Sequence, residues 1–170
     1  MRKLILNLAL SLDGLIEGPN GEYDWCLNDQ DYGLTEFVEE IDALLMGRKT
    51  YETLQSAGSD PFASKHKYIV SSKLTKSNST ETIIASNPIK AVKALKNEPG
   101  KNIWLFGGAE LTDALLKENL VDEFQLSIHP LLLGGGTKLF RELETRINLE
   151  LTDCKKYNSG LVQLFYRPKD

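Results

Sequence analysis

The fold is indicated most directly by Ala43-Leu44-Leu45-Met46-Gly47-Arg48-Lys49-Thr50-Tyr51-Glu52, in which four apolar residues precede a glycine and a cationic, hydroxyl-bearing run. The apolar residues 43–46 predict a buried strand, and residues 49–54 predict a short helix. A helix N-terminus offers unpaired backbone N–H groups and partial positive charge, and glycine lets a ligand approach the backbone closely. The segment therefore predicts a site for a phosphorylated ligand. The other interpretation is an ordinary strand-to-helix turn with solvated charges.

A second junction of the same kind is Phe106-Gly107-Gly108-Ala109-Glu110-Leu111. Two adjacent glycines remove the Cβ atoms that would keep a pyrophosphate away from the backbone, although a plain tight turn is the alternative. The carboxyl ends of parallel strands meet at one edge of a sheet, where α/β proteins bind nucleotides. We therefore expect both junctions to open at the same edge and to bind one nucleotide.

Apolar periodicity along the rest of the chain predicts strands that alternate with helices and end in a hairpin. This order is typical of an α/β fold with a mostly parallel central sheet and an antiparallel edge. The predicted strands are 4–12, 43–46, 67–70, 83–85, 103–106 and 124–128, the predicted helices are 34–41, 49–54, 88–98 and 110–118, and the hairpin pairs 149–157 with 161–166.

Composition limits the possible functions. The chain has 170 residues, 41% of them hydrophobic, so we expect a single domain over residues 1–170. It carries 20 basic and 24 acidic residues, which leaves no positive excess for nucleic acid. Cys26 and Cys154 form no CxxC pair, so we expect buried free thiols, no metal site and no disulfide. No apolar run reaches membrane-spanning length, and an early polar interruption argues against a signal peptide, so we expect a cytoplasmic protein that does not engage membranes.

Several motifs in order resemble the dihydrofolate reductase-like family, and specifically the branch that contains the reductase domain of the riboflavin deaminase-reductase. The resemblance covers nearly the whole chain and implies a three-layer dihydrofolate reductase-like fold. The motifs are Ser11-Leu12-Asp13-Gly14, Met46-Gly47-Arg48-Lys49-Thr50-Tyr51-Glu52, Val70-Ser71-Ser72, Phe106-Gly107-Gly108, Val121-Asp122-Glu123, His129-Pro130 and Leu133-Gly134-Gly135-Gly136.

The resemblance implies that the cofactor is NADPH, which donates a hydride to a ring-containing substrate. Two cations and two hydroxyl donors would hold the adenosine 2′-phosphate, since this set suits a dianion. The implied residues are Arg48, Lys49, Ser71 and Ser72 for that phosphate; Gly47, Thr50, Phe106, Gly107, Gly108, Ala109 and Glu110 for the pyrophosphate; and Ala9, Leu10, Glu17 and Gly18 for the nicotinamide. Thr50 is also expected to cap its helix.

Hydride transfer requires a group that protonates or hydrogen-bonds the acceptor. By resemblance, Asp31 is the candidate acid and Ser127 the residue that supports it, while Trp25 would close a mobile loop. The alternatives are a solvated loop carboxylate, a small polar strand residue and an ordinary aromatic. His129 is expected to serve packing or an interface rather than acid catalysis, and Asp13 to hydrogen-bond its own turn.

The sequence also departs from the riboflavin branch. It lacks the Asp-Pro-x-Leu-Thr-x-Arg segment with which that branch binds a ribityl or ribosyl phosphate, and it lacks an HxE…PCxxC deaminase motif. We therefore expect a stand-alone reductase of a heterocycle, similar to 5-amino-6-(5-phosphoribosylamino)uracil reductase or to dihydrofolate reductase. The alternative is an NADP(H)-binding or sensing module without turnover. The terminal hairpin and the apolar run 131–133 predict a homodimer.

Overall fold

The computed structural model of the protein describes residues 1–141 and 143–169. Its strands and helices follow the predicted alternation. In chain order they are β1 (Leu4–Ser11), β2 (Leu15–Glu17), α1 (Leu34–Glu40), β3 (Ile41–Gly47), α2 (Arg48–Ser56), β4 (His66–Val70), β5 (Glu81–Ile84), α3 (Pro88–Asn97), β6 (Asn102–Gly107), α4 (Ala109–Lys117), β7 (Glu123–His129), β8 (Thr137–Lys138), β9 (Leu149–Lys156) and β10 (Val162–Pro168).

Eight strands form the central sheet in the order β5-β4-β3-β6-β1-β7-β10-β9. The strands from β5 to β7 run parallel, and β10 and β9 add an antiparallel hairpin at one edge. The mixed sheet confirms the predicted fold class. Because β3, β6, β1 and β7 are parallel neighbours, the loops that follow them open at one edge.

Helices cover both faces of this sheet and make the three layers. On one face, Val92 and Leu95 of α3 and Leu115 of α4 pack into a buried apolar cluster with β1, β6 and β7. On the other, Phe37 of α1 packs against Trp104 with the ring centroids 5.0 Å apart. Tyr51 and Leu54 of α2 are partly buried against the same cluster as Phe37. Apolar packing therefore holds α2 and α4 against the sheet, with their N-termini at the ends of β3 and β6.

Some local predictions are wrong. Ile41, predicted as the last residue of a helix, is the first residue of β3, where its β-branched side chain is fully buried. Leu34, predicted on the buried face of that helix, is 45% exposed. β8, which pairs with β2 in a small second sheet, was not predicted, because two residues give no detectable periodicity. Cys154 is exposed on β9 rather than buried.

Among residues 1–141 and 143–169, no helix is both long and apolar enough to cross a membrane. Within the same ranges, no group of three or more His, Cys, Asp or Glu side chains could hold a metal ion.

Candidate active site

The two glycine junctions lie side by side at the carboxyl edge of the sheet. β3 and β6 are paired strands, and Met46 is in register with Gly107. A Cβ built on Gly108 would lie 3.4 Å from Thr50 Oγ1, and one built on Gly47 would lie 4.0 Å from the Gly108 nitrogen. The peptide bond between Gly107 and Gly108 is cis. The expectation that both junctions converge is therefore met by the geometry.

Each junction presents the N-terminus of a nine-residue helix without a side-chain cap. The N-cap residues are Gly47 for α2 and Gly108 for α4, and neither can supply a capping side chain. The expectation that Thr50 caps α2 is wrong, because Thr50 lies inside the helix and its side chain faces the glycine pair of β6. The first-turn N–H groups of both helices can therefore bind an anion.

Polar side chains flank the first junction. The Arg48 guanidinium donates from Nη1 to both carboxylate oxygens of Glu52 at 2.7 Å. Val70 at the end of β4 is in register with Gly47, which brings Ser71 and Ser72 to the same edge. Ser71 Oγ is buried and accepts from the amides of residues 73 and 74, so its own proton is available for a ligand. Ser72 and Lys49 are exposed.

The predicted nicotinamide residues divide between core and loop. Ala9 lines a cavity on the sheet, whereas the Leu10 side chain is buried in the apolar core. Glu17 Oε1 accepts from the Thr137 hydroxyl at 2.6 Å, and Gly18 donates its N–H to the Glu22 carbonyl. A Cβ at residue 136, which has a φ of 137°, would overlap the Glu17 carbonyl oxygen, so only glycine permits this approach of the loops.

Asp13 joins the β1–β2 turn to the loop that contains the triple glycine. Its carboxylate accepts from the amides of Leu133 and Gly134 at 3.1 and 2.8 Å. The carboxylate is also hydrogen-bonded by Ser11 of its own turn, as expected. Hydrogen bonds from Ser11, Gly134 and Leu133 lower the pKa of Asp13 to about 2.

A cavity of about 440 Å³ opens between β1, β7, α1 and the C-terminal hairpin. Side chains on alternate strand positions line its sheet side: polar Asn7 and small Ala9 on β1, and polar Gln125, Ser127 and His129 on β7. The sequence analysis did not identify Asn7, Gln125 or Gln163 as site residues. The alternation of polar residues along β7 is the signal that could have found Gln125 together with Ser127 and His129.

Gln163 organises one wall of this cavity. Its Nε2 donates to the Tyr32 carbonyl at 2.8 Å and to Ser127 Oγ at 3.1 Å, and its Oε1 accepts from the Tyr157 hydroxyl at 2.7 Å. The resemblance implied that Ser127 supports Asp31, but Ser127 is hydrogen-bonded to Gln163 instead. Because Ser127 Oγ accepts this bond, its hydroxyl proton remains available to a ligand.

Asp31 lines the cavity, but its carboxylate is hydrogen-bonded to the N-terminus of α1. Its Oδ1 accepts from the amides of Leu34 and Thr35 at 2.7 and 3.2 Å, which satisfies two unpaired N–H groups at the start of the helix. Hydrogen bonds from the Thr35 hydroxyl and amide lower the pKa of Asp31. A carboxylate with a lowered pKa is ionised at neutral pH and is a poor proton donor.

His129 is buried beneath Trp25, with the two rings edge to face and their centroids 5.2 Å apart. His129 Nδ1 lies 3.0 Å from the Ser127 carbonyl oxygen, which can only accept, so Nδ1 is the donor. His129 Nε2 is the one buried side-chain polar atom without a hydrogen-bond partner in the part of the chain that the structure describes. Trp25 itself donates from Nε1 to the Glu22 carbonyl, which orders the loop before α1.

This fold is the dihydrofolate reductase-like fold. A family model described as the RibD C-terminal domain matches residues 2–163, and the chain belongs to that family. The uncharacterized protein YyaP of Bacillus subtilis (strain 168) is 42% identical over 177 residues, which cover 97% of this chain and 94% of that protein. The resemblance drawn from the motifs is confirmed.

Solved structures agree with the family. A candidate riboflavin biosynthesis protein from Shewanella sp. PV-4 matches with a TM-score of 0.88 and 27% identity, covering 100% of both chains. Dihydrofolate reductase from Enterococcus faecalis, in a complex with NADP(H) and RAB-propyl, matches with a TM-score of 0.72 and 17% identity. That match covers 99% of this chain and 97% of the other, and at this identity it shows the shared fold.

Proposed function

We propose that the protein is an NADPH-dependent reductase that transfers a hydride to a heterocyclic substrate. The observation that carries this proposal is the position of the cavity, which reaches Ala9, Ser127 and His129 near the carboxyl ends of β1 and β7. The parallel strands β3 and β6 end in their glycine junctions at the same edge of the sheet. A dinucleotide bound across both junctions could extend along the end of β1 to Ala9 in the cavity lining. Membership of a reductase family supports the reaction class.

The residues present fit NADPH. The cofactor would supply the hydride, and the chain would hold its phosphates with backbone N–H groups of Gly108, Ala109 and the first turn of α2. The N-cap residues Gly47 and Gly108 carry neither a Cβ nor a capping side chain that would block this approach. Arg48, Lys49, Ser71 and Ser72 would select the 2′-phosphate. The complex of the Enterococcus faecalis dihydrofolate reductase with NADP(H) supports a nucleotide of this kind.

Ser127 would act on the substrate through its free hydroxyl proton, which can hydrogen-bond a ring carbonyl or nitrogen and make the ring a better hydride acceptor. Gln163 would position that hydroxyl. In a substrate similar to 5-amino-6-(5-phosphoribosylamino)uracil or to a pterin, ring carbonyls and nitrogens provide such acceptors.

A second candidate function is an NADP(H)-binding or sensing module without turnover. The specific observation in its favour is the helix-capping role of Asp31, whose lowered pKa makes it unsuitable as the acid. A panel of pyrimidines, pterins and flavins separates the two candidates. Oxidation of NADPH with any of them supports the reductase, while cofactor binding without oxidation supports the module.

Cofactor selectivity tests the shared part of both candidates. We expect NADPH to bind more tightly than NADH, and Arg48→Ala to remove about 1.5–3 kcal/mol of that preference, the value of a charge-assisted contact. Arg167→Ala is the matched control, because Arg167 is also an exposed guanidinium paired with a carboxylate. It lies near the C-terminal end of β10, beside the start of β7 and therefore at the opposite edge of the sheet from the glycine junctions. Equal binding of both cofactors by the unaltered protein contradicts the phosphate assignment.

We also propose a homodimer formed at the hairpin edge. β9 is exposed along its whole length at the edge of the sheet, and its Leu151 is 51% exposed. Leu132, which shortly precedes the triple glycine in the sequence, is 70% exposed. Long exposed edge strands invite pairing with another chain. Light scattering at micromolar concentration should give twice the mass of one chain, and a monomeric mass would rule out this assembly.

A further inference from the structure

The cavity beside the proposed cofactor site has an unbalanced set of charges. Among the described residues that line it, the carboxylates are Asp31, Glu36 and Glu40, and the one ammonium group is Lys155. Lys155 Nζ lies 5.2 Å from the centroid of the Phe165 ring and makes a cation–π interaction with it. The charged side chains around the cavity therefore favour a cation over an anion.

One buried polar atom of a lining residue has no hydrogen-bond partner. His129 is 2% exposed, and its Nδ1 donates to the Ser127 carbonyl. Its Nε2 has no partner among the described residues. A buried polar atom without a partner is costly, so a ligand that offers this nitrogen a polar group would be favoured.

Aromatic side chains supply the apolar part of the lining. Phe37, Trp104 and Phe165 border the same cavity, and flat rings pack well against such surfaces. The side-chain amides of Asn7 and Gln125, joined at 3.1 Å, lie on its floor. An aromatic ring with amino or ring N–H groups matches both features.

We propose that this cavity takes an uncharged or cationic, amino-substituted nitrogen heterocycle that carries no phosphate. This inference rests on the proposed function for its site but concerns only the substrate. It separates the protein from a reductase of phosphorylated pyrimidines, and it agrees with the absence of the Asp-Pro-x-Leu-Thr-x-Arg segment from the sequence.

The test compares two probes that differ only in the phosphate: 5-amino-6-(ribosylamino)uracil and its 5′-phosphate. Dissociation constants are measured by calorimetry on the full chain, with and without saturating NADP⁺. We expect the unphosphorylated probe to bind about fivefold more tightly, because each unbalanced exposed carboxylate weakens a nearby phosphate by a factor of about two to three.

Variants that remove carboxylates from α1 test whether these charges cause the difference in affinity between the two probes. The double variant Glu36→Gln with Glu40→Gln should reduce the ratio between the probes to about one, chiefly by improving binding of the phosphorylated probe. Glu39→Gln is the matched control, since Glu39 is exposed on the same helix but does not line the cavity. That variant should leave the ratio unchanged.

The outcomes separate the inference from the proposed function. Tighter binding of the phosphorylated probe, or no binding of either probe, overturns the inference even if NADP⁺ binds. If NADP⁺ fails to bind while the unphosphorylated probe keeps its advantage, the proposed function fails and the inference stands.

Discussion

Replacing Gly47 by alanine should separate cofactor binding from folding. Gly47 has φ −78° and ψ 165°, an extended conformation that alanine adopts without strain. The nearest heavy atom to the added Cβ would be the Gly108 nitrogen at 4.0 Å, so the fold has space for a methyl group. That space is where the proposed pyrophosphate approaches the backbone.

The expected change in stability is small. Alanine is a poorer N-cap than glycine by about 0.5 kcal/mol, while its smaller unfolded-state entropy offsets about 0.4–1 kcal/mol. The free energy of unfolding of Gly47→Ala should therefore stay within about 1 kcal/mol of the unaltered value. A methyl group between the pyrophosphate and the helix N-terminus should lengthen several charge-assisted hydrogen bonds and weaken the cofactor about tenfold or more.

Thermal unfolding with and without cofactor provides the assay. At a hundred times its dissociation constant, NADPH should stabilise the unaltered protein by about 2.7 kcal/mol, or about 5–11 °C for a chain of this size. At the same concentration a tenfold weaker complex gives about 1.4 kcal/mol, or about 3–6 °C. NADH should be weakened by the same factor, since it has the same pyrophosphate.

Ser56→Ala is the control for this change. Ser56 is exposed at the opposite end of α2 from Gly47, and its hydroxyl donates to the Glu52 carbonyl. Its replacement should leave the affinity for both cofactors unchanged. An unchanged NADPH affinity in a folded Gly47→Ala protein would refute the placement of the pyrophosphate at this turn.

Three further changes test the charges of the site and of its support. Glu52→Gln removes the partner that holds Arg48, so NADPH should bind about twofold more tightly while NADH is unchanged, as titration of both cofactors would show. The folded-state pKa of Asp13 is lowered to about 2, so the ionised carboxylate contributes stability above pH 4, and this contribution is lost as the pH falls from about 4 to 2. Asp13→Asn should therefore flatten the dependence of the free energy of unfolding on pH in this range. An unaltered slope in the variant would contradict the assigned role of Asp13. Asp122→Ala leaves the buried Lys96 ammonium without its carboxylate at 2.6 Å and should cost about 3 kcal/mol in urea unfolding, whereas a loss below about 1 kcal/mol would contradict a buried pair.

The parts of the protein that the sequence could predict depend on neighbouring residues. Residues 43–52 contain a buried strand, a glycine N-cap and a helix within ten positions, so local pattern was sufficient to place the turn. The same holds for residues 106–111 and for the hairpin turn at residues 158–160. The convergence of the two junctions followed from the rule that neighbouring parallel strands share an edge.

The hydrogen bonds that the sequence could not predict join residues far apart along the chain. Asp13 bonds residues about 120 positions away, and Gln163 bonds Tyr32 across 131 positions. Asp31 shows a different difficulty, since an Asp before a helix is equally suited to capping it and to catalysis. Only the bonds to Leu34 and Thr35 decide between these roles.

The two parts of the proposed site should tolerate substitution differently. The proposed cofactor half is built from backbone groups at helix ends that the apolar core holds in place, so a change there affects the fold or every cofactor complex. The polar side chains of the cavity, Asn7, Gln125, Ser127 and Gln163, belong to neither buried apolar cluster. They can change with little cost in core packing. We therefore expect substrate preference to differ among relatives that keep the two glycine junctions. Gln125→Met should alter heterocycle binding while leaving NADPH affinity and the unfolding midpoint nearly unchanged.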